Sequence, residues 1–125
     1  MENYEFNVIL FGSLDFENFE GIEEKCNNIL SRKLKEHGPE KIRIIYGGSK
    51  DFNNAVEKYI KSTGINKIKI SANWDKYNKR AGYLRNKKMA ELGNACIIFG
   101  QDNTTKSLEK ICRNEKLLIR KVNEV

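Results

Sequence analysis

Two glycine-bearing loops, one aromatic and basic segment and one arginine are the parts of this sequence whose residue types and spacing suit chemistry. Gly12-Ser13 and Gly47-Gly48-Ser49 each follow a short apolar run. Glycine lets backbone N–H groups approach an anion, and the N-terminus of a following helix favours negative charge. Relief of a tight strand-to-helix turn is the competing role, and either loop alone serves it equally well. Two such loops on one edge favour phosphate binding. Trp74-Asp75-Lys76-Tyr77-Asn78-Lys79-Arg80 combines two aromatics with three cations, and Arg85, Lys87 and Lys88 follow. Aromatic faces stack bases and cations hold phosphates, which suits a nucleotide or nucleic-acid surface. The alternative is a solvated basic face with Trp74 and Tyr77 anchoring a loop. Arg85-Asn86 stands apart, because a fork-shaped guanidinium matches phosphate or carboxylate better than lysine does. A fourth polar turn runs from Gly100 through Asp102 to Thr104 and Thr105.

Other reactive types are sparse. His37 is the only histidine, beside Gly38-Pro39 where exposure is expected. That excludes a His-based metal cluster, a Ser-His-Asp set and a Cys-His pair. Cys26, Cys96 and Cys112 form no CxxC pair and fall at positions that read as core, which suits a reducing cytosol. The carboxylates near the loops are Asp15, Asp51, Asp75, Asp102 and Glu109, of which the first four serve equally well as caps or turn formers.

The elements that must position these residues follow from periodicity. Apolar runs predict strands at Glu5 to Phe11, Ile42 to Tyr46, Lys67 to Ile70, Ala95 to Phe99 and Leu117 to Val122. Helical stripes lie between them. One starts near Phe19 and carries Ile22, Cys26, Ile29, Leu30 and Leu34. The next is capped by Asp51 and ends at Gly64; another runs from Ala81 to Leu92; the last carries Leu108, Ile111 and Cys112. Ser71 to Arg80 reads as a long basic loop. Strands alternating with helices imply βαβ crossovers, so the expected fold class is α/β. Residues 1–125 then form a single Rossmann-like domain, with a five-stranded, mainly parallel sheet and helices on both faces. Ligands in such sheets bind beyond the carboxyl ends of the strands, near the point where strand order reverses. The four loops at that edge hold most of the unusual residues.

Composition agrees with one globular domain. The 125 residues are 39% hydrophobic and 32% charged, with one Pro, which excludes a collagenous chain. No apolar run approaches the roughly 20 residues that cross a bilayer, and the start Met1-Glu2-Asn3-Tyr4-Glu5 is polar, so neither signal peptide nor membrane anchor is expected. The net charge of +6 favours an anionic partner.

Val8-Ile9-Leu10-Phe11-Gly12-Ser13 with Phe16 resembles the opening of the YspA-like branch of the SLOG superfamily, which also contains the DprA/Smf proteins and the Lonely Guy (LOG) phosphoribohydrolases. Ile44-Ile45-Tyr46-Gly47-Gly48-Ser49 is similar to the strand and Gly-Gly loop of that group. The most specific match is Trp74-Asp75-Lys76-Tyr77 followed by Ala81-Gly82-Tyr83-Leu84-Arg85-Asn86-Lys87-Lys88-Met89, and the resemblance covers nearly the whole chain. It implies a pocket for nucleotide-type ligands, often in a dimer or larger assembly. Members sense nucleotide-derived messengers, associate with DNA or cleave nucleoside monophosphates. Arg85 and Met89 match the Arg-x-x-x-Met pattern of LOG enzymes. Their Pro-Gly-Gly-x-Gly-Thr-x-x-Glu loop is altered here. Thr105 matches, but Leu108 stands where the catalytic Glu belongs, with Glu109 one place late. On a helix that shift turns a carboxylate by about 100°. Asp51 and Asn53 also stand where relatives commonly carry Gly and Asp.

The resulting expectation is a nucleotide-binding protein without catalysis, sensing or sequestering a cyclic ADP-ribose-like or cyclic nucleotide signal. A phage counter-defence sponge is one such role. Its expected ligand contacts are Gly12, Ser13, Gly47, Gly48, Ser49, Trp74, Tyr77, Arg85, Asn86, Gly100, Thr104 and Thr105. A LOG-like phosphoribohydrolase using Arg85 and Glu109 is the alternative, and a DNA-associated protein the second, though no helix reads as a base-reading element. No metal or cofactor is expected. The expected setting is the cytoplasm of a bacterium or an infected host cell. The helix from Ala81 to Leu92 carries Tyr83, Leu84, Met89 and Leu92, spread wider than one core stripe requires, which points to a homo-oligomer.

Overall fold

The computed structural model describes residues 4–14, 16 and 20–122; Asp15 and Phe19 lie outside the described residues. Five parallel strands form one sheet in the order β3-β2-β1-β4-β5. They are β1 (Phe6–Gly12), β2 (Ile42–Tyr46), β3 (Asn66–Lys69), β4 (Ala95–Phe99) and β5 (Leu118–Val122). The three central strands are nearly continuous apolar runs, as a sheet covered on both faces requires. Register pairs Leu10 with Tyr46 on one side and with Ile97 on the other. The expected mainly parallel sheet is therefore parallel throughout.

The helices are α1 (Glu20–His37), α2 (Lys50–Thr63), α3 (Trp74–Tyr77), α4 (Ala81–Leu92) and α5 (Asn103–Asn114). A right-handed crossover puts its helix on one face when the chain steps one way across the sheet and on the other face when it steps back, and here β1 to β3 step one way while β4 and β5 lie on the other side of β1. Accordingly α1 and α2 bury Ile22, Cys26, Leu30, Phe52, Val56 and Tyr59 against Val8, Leu10, Ile44, Tyr46, Ile97 and Phe99. On the other face α4 and α5 bury Met89, Ala90, Leu108 and Cys112 against Ile9, Phe11, Ile45, Cys96 and Ile98. Strand side chains alternate between the two cores with period two. All three cysteines are buried and free, as expected, and burial pushes the Cys26 thiol up to about 12.

Several local expectations change. The cap of α2 is Ser49, whose Oγ accepts the Phe52 N–H at 3.2 Å, and Asp51 lies inside the first turn. Ser71 to Arg80 is not all loop: α3 and a 3-10 turn over Asn78–Arg80 fill most of it. A four-residue helix shows no readable period, so the sequence carries no signal for it. His37 is not exposed; it is half-buried and stacks parallel on Phe6 with ring centroids 6.2 Å apart. Met89 is fully buried, so of the side chains thought to widen the stripe of α4 only Tyr83 stands in solvent.

Candidate functional site

Strand order reverses between β1 and β4, and the chain ends of β1, β2 and β4 meet there with tight backbone contacts. Ser13 N–H donates to the Phe99 carbonyl at 2.8 Å, continuing the β1–β4 ladder into the loop. A methyl group on Gly47 would stand 2.1 Å from the Ile70 carbonyl oxygen, so only glycine lets β2 end this close to β3. Gly100 takes φ +82° and presses on Ser13, whose Oγ would lie 2.2 Å from an added Cβ. These glycines have a packing reason independent of any ligand.

Above this floor lies a cleft of about 560 Å³. The end of β1 supplies Phe11, Gly12 and Leu14, and the α2 turn supplies Gly48 and Ser49. The first turns of α4 give Gly82, Tyr83, Arg85 and Asn86, while α5 gives Asn103, Thr104 and Ser107. The spacing 82, 85, 86 and 103, 104, 107 is that of one helix face turned to the cleft.

Arg85 is half-buried and pinned. Its Nε donates to Asn86 Oδ1 at 2.8 Å, and its guanidinium carbon lies 5.2 Å from the centre of the Phe11 ring. Asn86 is itself only 3% exposed, which fixes the acceptor. The Arg85 Cδ also lies beside Gly47, within 3.6 Å of where a Cβ there would stand, so the cation borders the Gly-Gly turn. Among the described residues no carboxylate pairs with it. Burial lowers its pKa, yet arginine keeps its charge at neutral pH. A half-buried unpaired cation favours an anion from solution.

The opposite wall carries the other sign. Asp102 caps α5: its carboxylate accepts the Leu14 N–H at 2.8 Å, the Thr104 hydroxyl at 2.7 Å and the Thr105 N–H at 2.9 Å. Burial raises the Asp102 pKa, but these hydrogen bonds outweigh it and hold the carboxyl below its usual value.

Of the expected site residues, Gly12, Gly48, Ser49, Arg85, Asn86 and Thr104 line the cleft. Ser13 and Thr105 are buried beneath it, and Thr105 spends its hydroxyl on the Asp102 backbone N–H at 2.9 Å. Gly47 and Gly100 shape the turns without lining it. Tyr77 is exposed on α3 under the Lys76 ammonium and does not reach the cleft. Trp74 opens α3, and its side chain lies outside the described part of the chain. Glu109 is not brought to the site. It pairs with Arg113 and, at 3.4 Å, with Lys121 of β5, while Leu108 fills the core. The helical phase that separates positions 108 and 109 from Ser107 accounts for this. Phe11, Leu14, Gly82, Tyr83, Asn103 and Ser107 line the cleft without having been expected as ligand contacts. Extending Arg85 and Thr104 by three residues along their helices would have found Gly82 and Ser107.

Among the described residues, no group of three His, Cys, Asp or Glu side chains is arranged to hold a metal, and no helix is long and apolar enough to cross a membrane. The fold is an α/β domain of the Rossmann-like class, with a cleft bearing Arg85 at its topological switch point. No family model, curated protein or solved structure matches the chain.

Proposed function

We propose that this protein binds a nucleotide-derived small molecule and performs no chemistry on it, acting as a sensor or a sequestering protein. A counter-defence sponge in an infected cell is one such role. The observation that carries this reading is Arg85, a pinned, half-buried guanidinium without a carboxylate partner, beside the Gly48-Ser49 turn of α2. The guanidinium takes the phosphate, with backbone N–H groups of the α2 turn beside it. Tyr83, 52% exposed on the cleft wall, offers a face on which a base stacks. The likeness to the SLOG superfamily over Trp74 to Met89 points to the same ligand class. A phosphoribohydrolase would need a carboxylate at the cleft, and Glu109, its candidate, is bound to Arg113 and Lys121 instead.

The test is a thermal-shift and calorimetric screen of nucleotides, including cyclic ADP-ribose isomers, on the wild type and Arg85→Ala. Binding should fall by more than tenfold in the variant, since a charged hydrogen bond to phosphate is worth roughly 2 kcal/mol. Equal affinities would remove Arg85 from the site. Release of free base from AMP, lost in Glu109→Gln, would replace the binding reading with the enzymatic one.

A further inference from the structure

We propose that the cleft is built for a nucleotide carrying a single negative charge, a cyclic mononucleotide, and that Asp102 is the residue that turns away ligands with a second phosphate. This rests on the nucleotide-binding reading above and narrows it. The cleft is polarised along its length. At one end Arg85 is the sole cation among the described lining residues, next to an α2 turn whose cap is the neutral Ser49. At the other end the N-terminus of α5 is already filled by its own carboxylate. Two groups that hold that carboxylate, the Leu14 N–H and the Thr104 hydroxyl, belong to residues of the cleft wall, so its charge stands directly behind the surface a ligand touches.

An anion at the Arg85 end therefore meets one positive charge and an α2 terminus whose cap is neutral, with the Asp51 carboxylate of its first turn exposed to solvent. Among the described residues, a second phosphate extended toward α5 meets neither a cation nor an uncapped helix terminus. It meets a like charge across a partly desolvated wall, where repulsion is weakly screened. Lys50, Arg80 and Lys106 on neighbouring turns are solvent-exposed and line no part of the cleft, so they offer only screened attraction. What the α5 end does offer is neutral: the Asn103 amide and the Thr104 and Ser107 hydroxyls, with Leu14 and Tyr83 as apolar surface. That is the chemistry of a ribose and a base. A cyclic diester carries one charge and matches Arg85, whereas a monoester, pyrophosphate or triphosphate carries more than the cleft balances.

Isothermal calorimetry with the 3′,5′-cyclic monophosphates of adenosine, guanosine, cytidine and uridine, against AMP, ADP, ATP and cyclic ADP-ribose, tests this at fixed ionic strength. The best cyclic mononucleotide should bind at least tenfold tighter than ADP, ATP or cyclic ADP-ribose, with AMP between. Asp102→Asn keeps a capping side chain and removes the charge; Ser107→Lys leaves the cap untouched and adds a cation to the same wall. Both should narrow the gap between ADP and the cyclic ligand by severalfold. Any of the more highly charged ligands binding as tightly as the best cyclic one overturns the charge argument while leaving nucleotide binding intact. An ADP discrimination unmoved in both variants overturns the role of Asp102. Binding of none of these compounds overturns the nucleotide reading itself, and this inference with it.

Discussion

Gly64 and Gly100 share a positive φ, +75° and +82°, but not a setting. Nothing lies within 4 Å of a Cβ built at Gly64, so Gly64→Ala should lose only the left-handed backbone penalty, about 1 kcal/mol. A Cβ at Gly100 would add a 2.2 Å clash with Ser13 Oγ to the same strain, and Gly100→Ala should cost roughly 2–4 kcal/mol in urea unfolding. Asp102 makes a prediction of opposite character. Its hydrogen bonds depress the folded pKa below 3.8, so its stabilisation is fully present above that pH and is lost as pH falls through the folded value. Asp102→Ala should cost about 1 kcal/mol at pH 7, and the gap from the wild type should shrink as pH falls below the ordinary carboxyl value of 3.8. That Asp102 could serve as a cap or a turn former was readable beforehand, since Asp ahead of a helical stripe is a favoured N-cap residue. Its place behind the cleft wall was not, because that depends on where Leu14 folds back across the sheet edge.

At the scale of elements the legible part is the alternation of apolar runs and helical stripes, which depends only on which face is buried. Four long helices and five strands came through for that reason. Residues 71–80 did not, because a single turn of α3 buries no stripe. Sequence located the cleft through its loops but missed its helical walls, since Gly82, Tyr83 and Ser107 look unremarkable until three-residue spacing is anchored on Arg85 or Thr104. The phase of α5 set the outcome for Glu109 in the same way. On α4 the spread of apolar residues resolves into a buried Met89 and an exposed Tyr83. Tyr83 and Leu14, the latter 70% exposed, leave an apolar rim beside the cleft, and we propose that a second copy of the chain packs there. Sedimentation at micromolar concentration should give a dimer or larger symmetric oligomer. Tyr83→Glu should dissociate it and weaken ligand binding together, while changing monomer stability by less than about 0.5 kcal/mol. A 14.5 kDa monomer in the presence of ligand would remove the interface.

Across the whole molecule, every wall of the cleft comes from a different crossover, from Phe11 near one end of the chain to Ser107 near the other. All four strand-to-helix junctions must be in register before Arg85 and Asp102 face one space. Kinetically, no partly folded chain owns a binding site. The transition state for folding, dominated by whichever crossover closes first, gains nothing from ligand, whereas the native state gains by mass action. A saturating nucleotide should therefore leave the refolding rate within twofold of the unliganded rate and slow unfolding by the full factor by which it stabilises the protein. A stopped-flow chevron measured with and without ligand reads both arms at once. Ligand that accelerated refolding instead would mean that part of the cleft forms early. In a cell, the molecule would then persist longest where its ligand is most abundant, with turnover itself reporting the level of the signal.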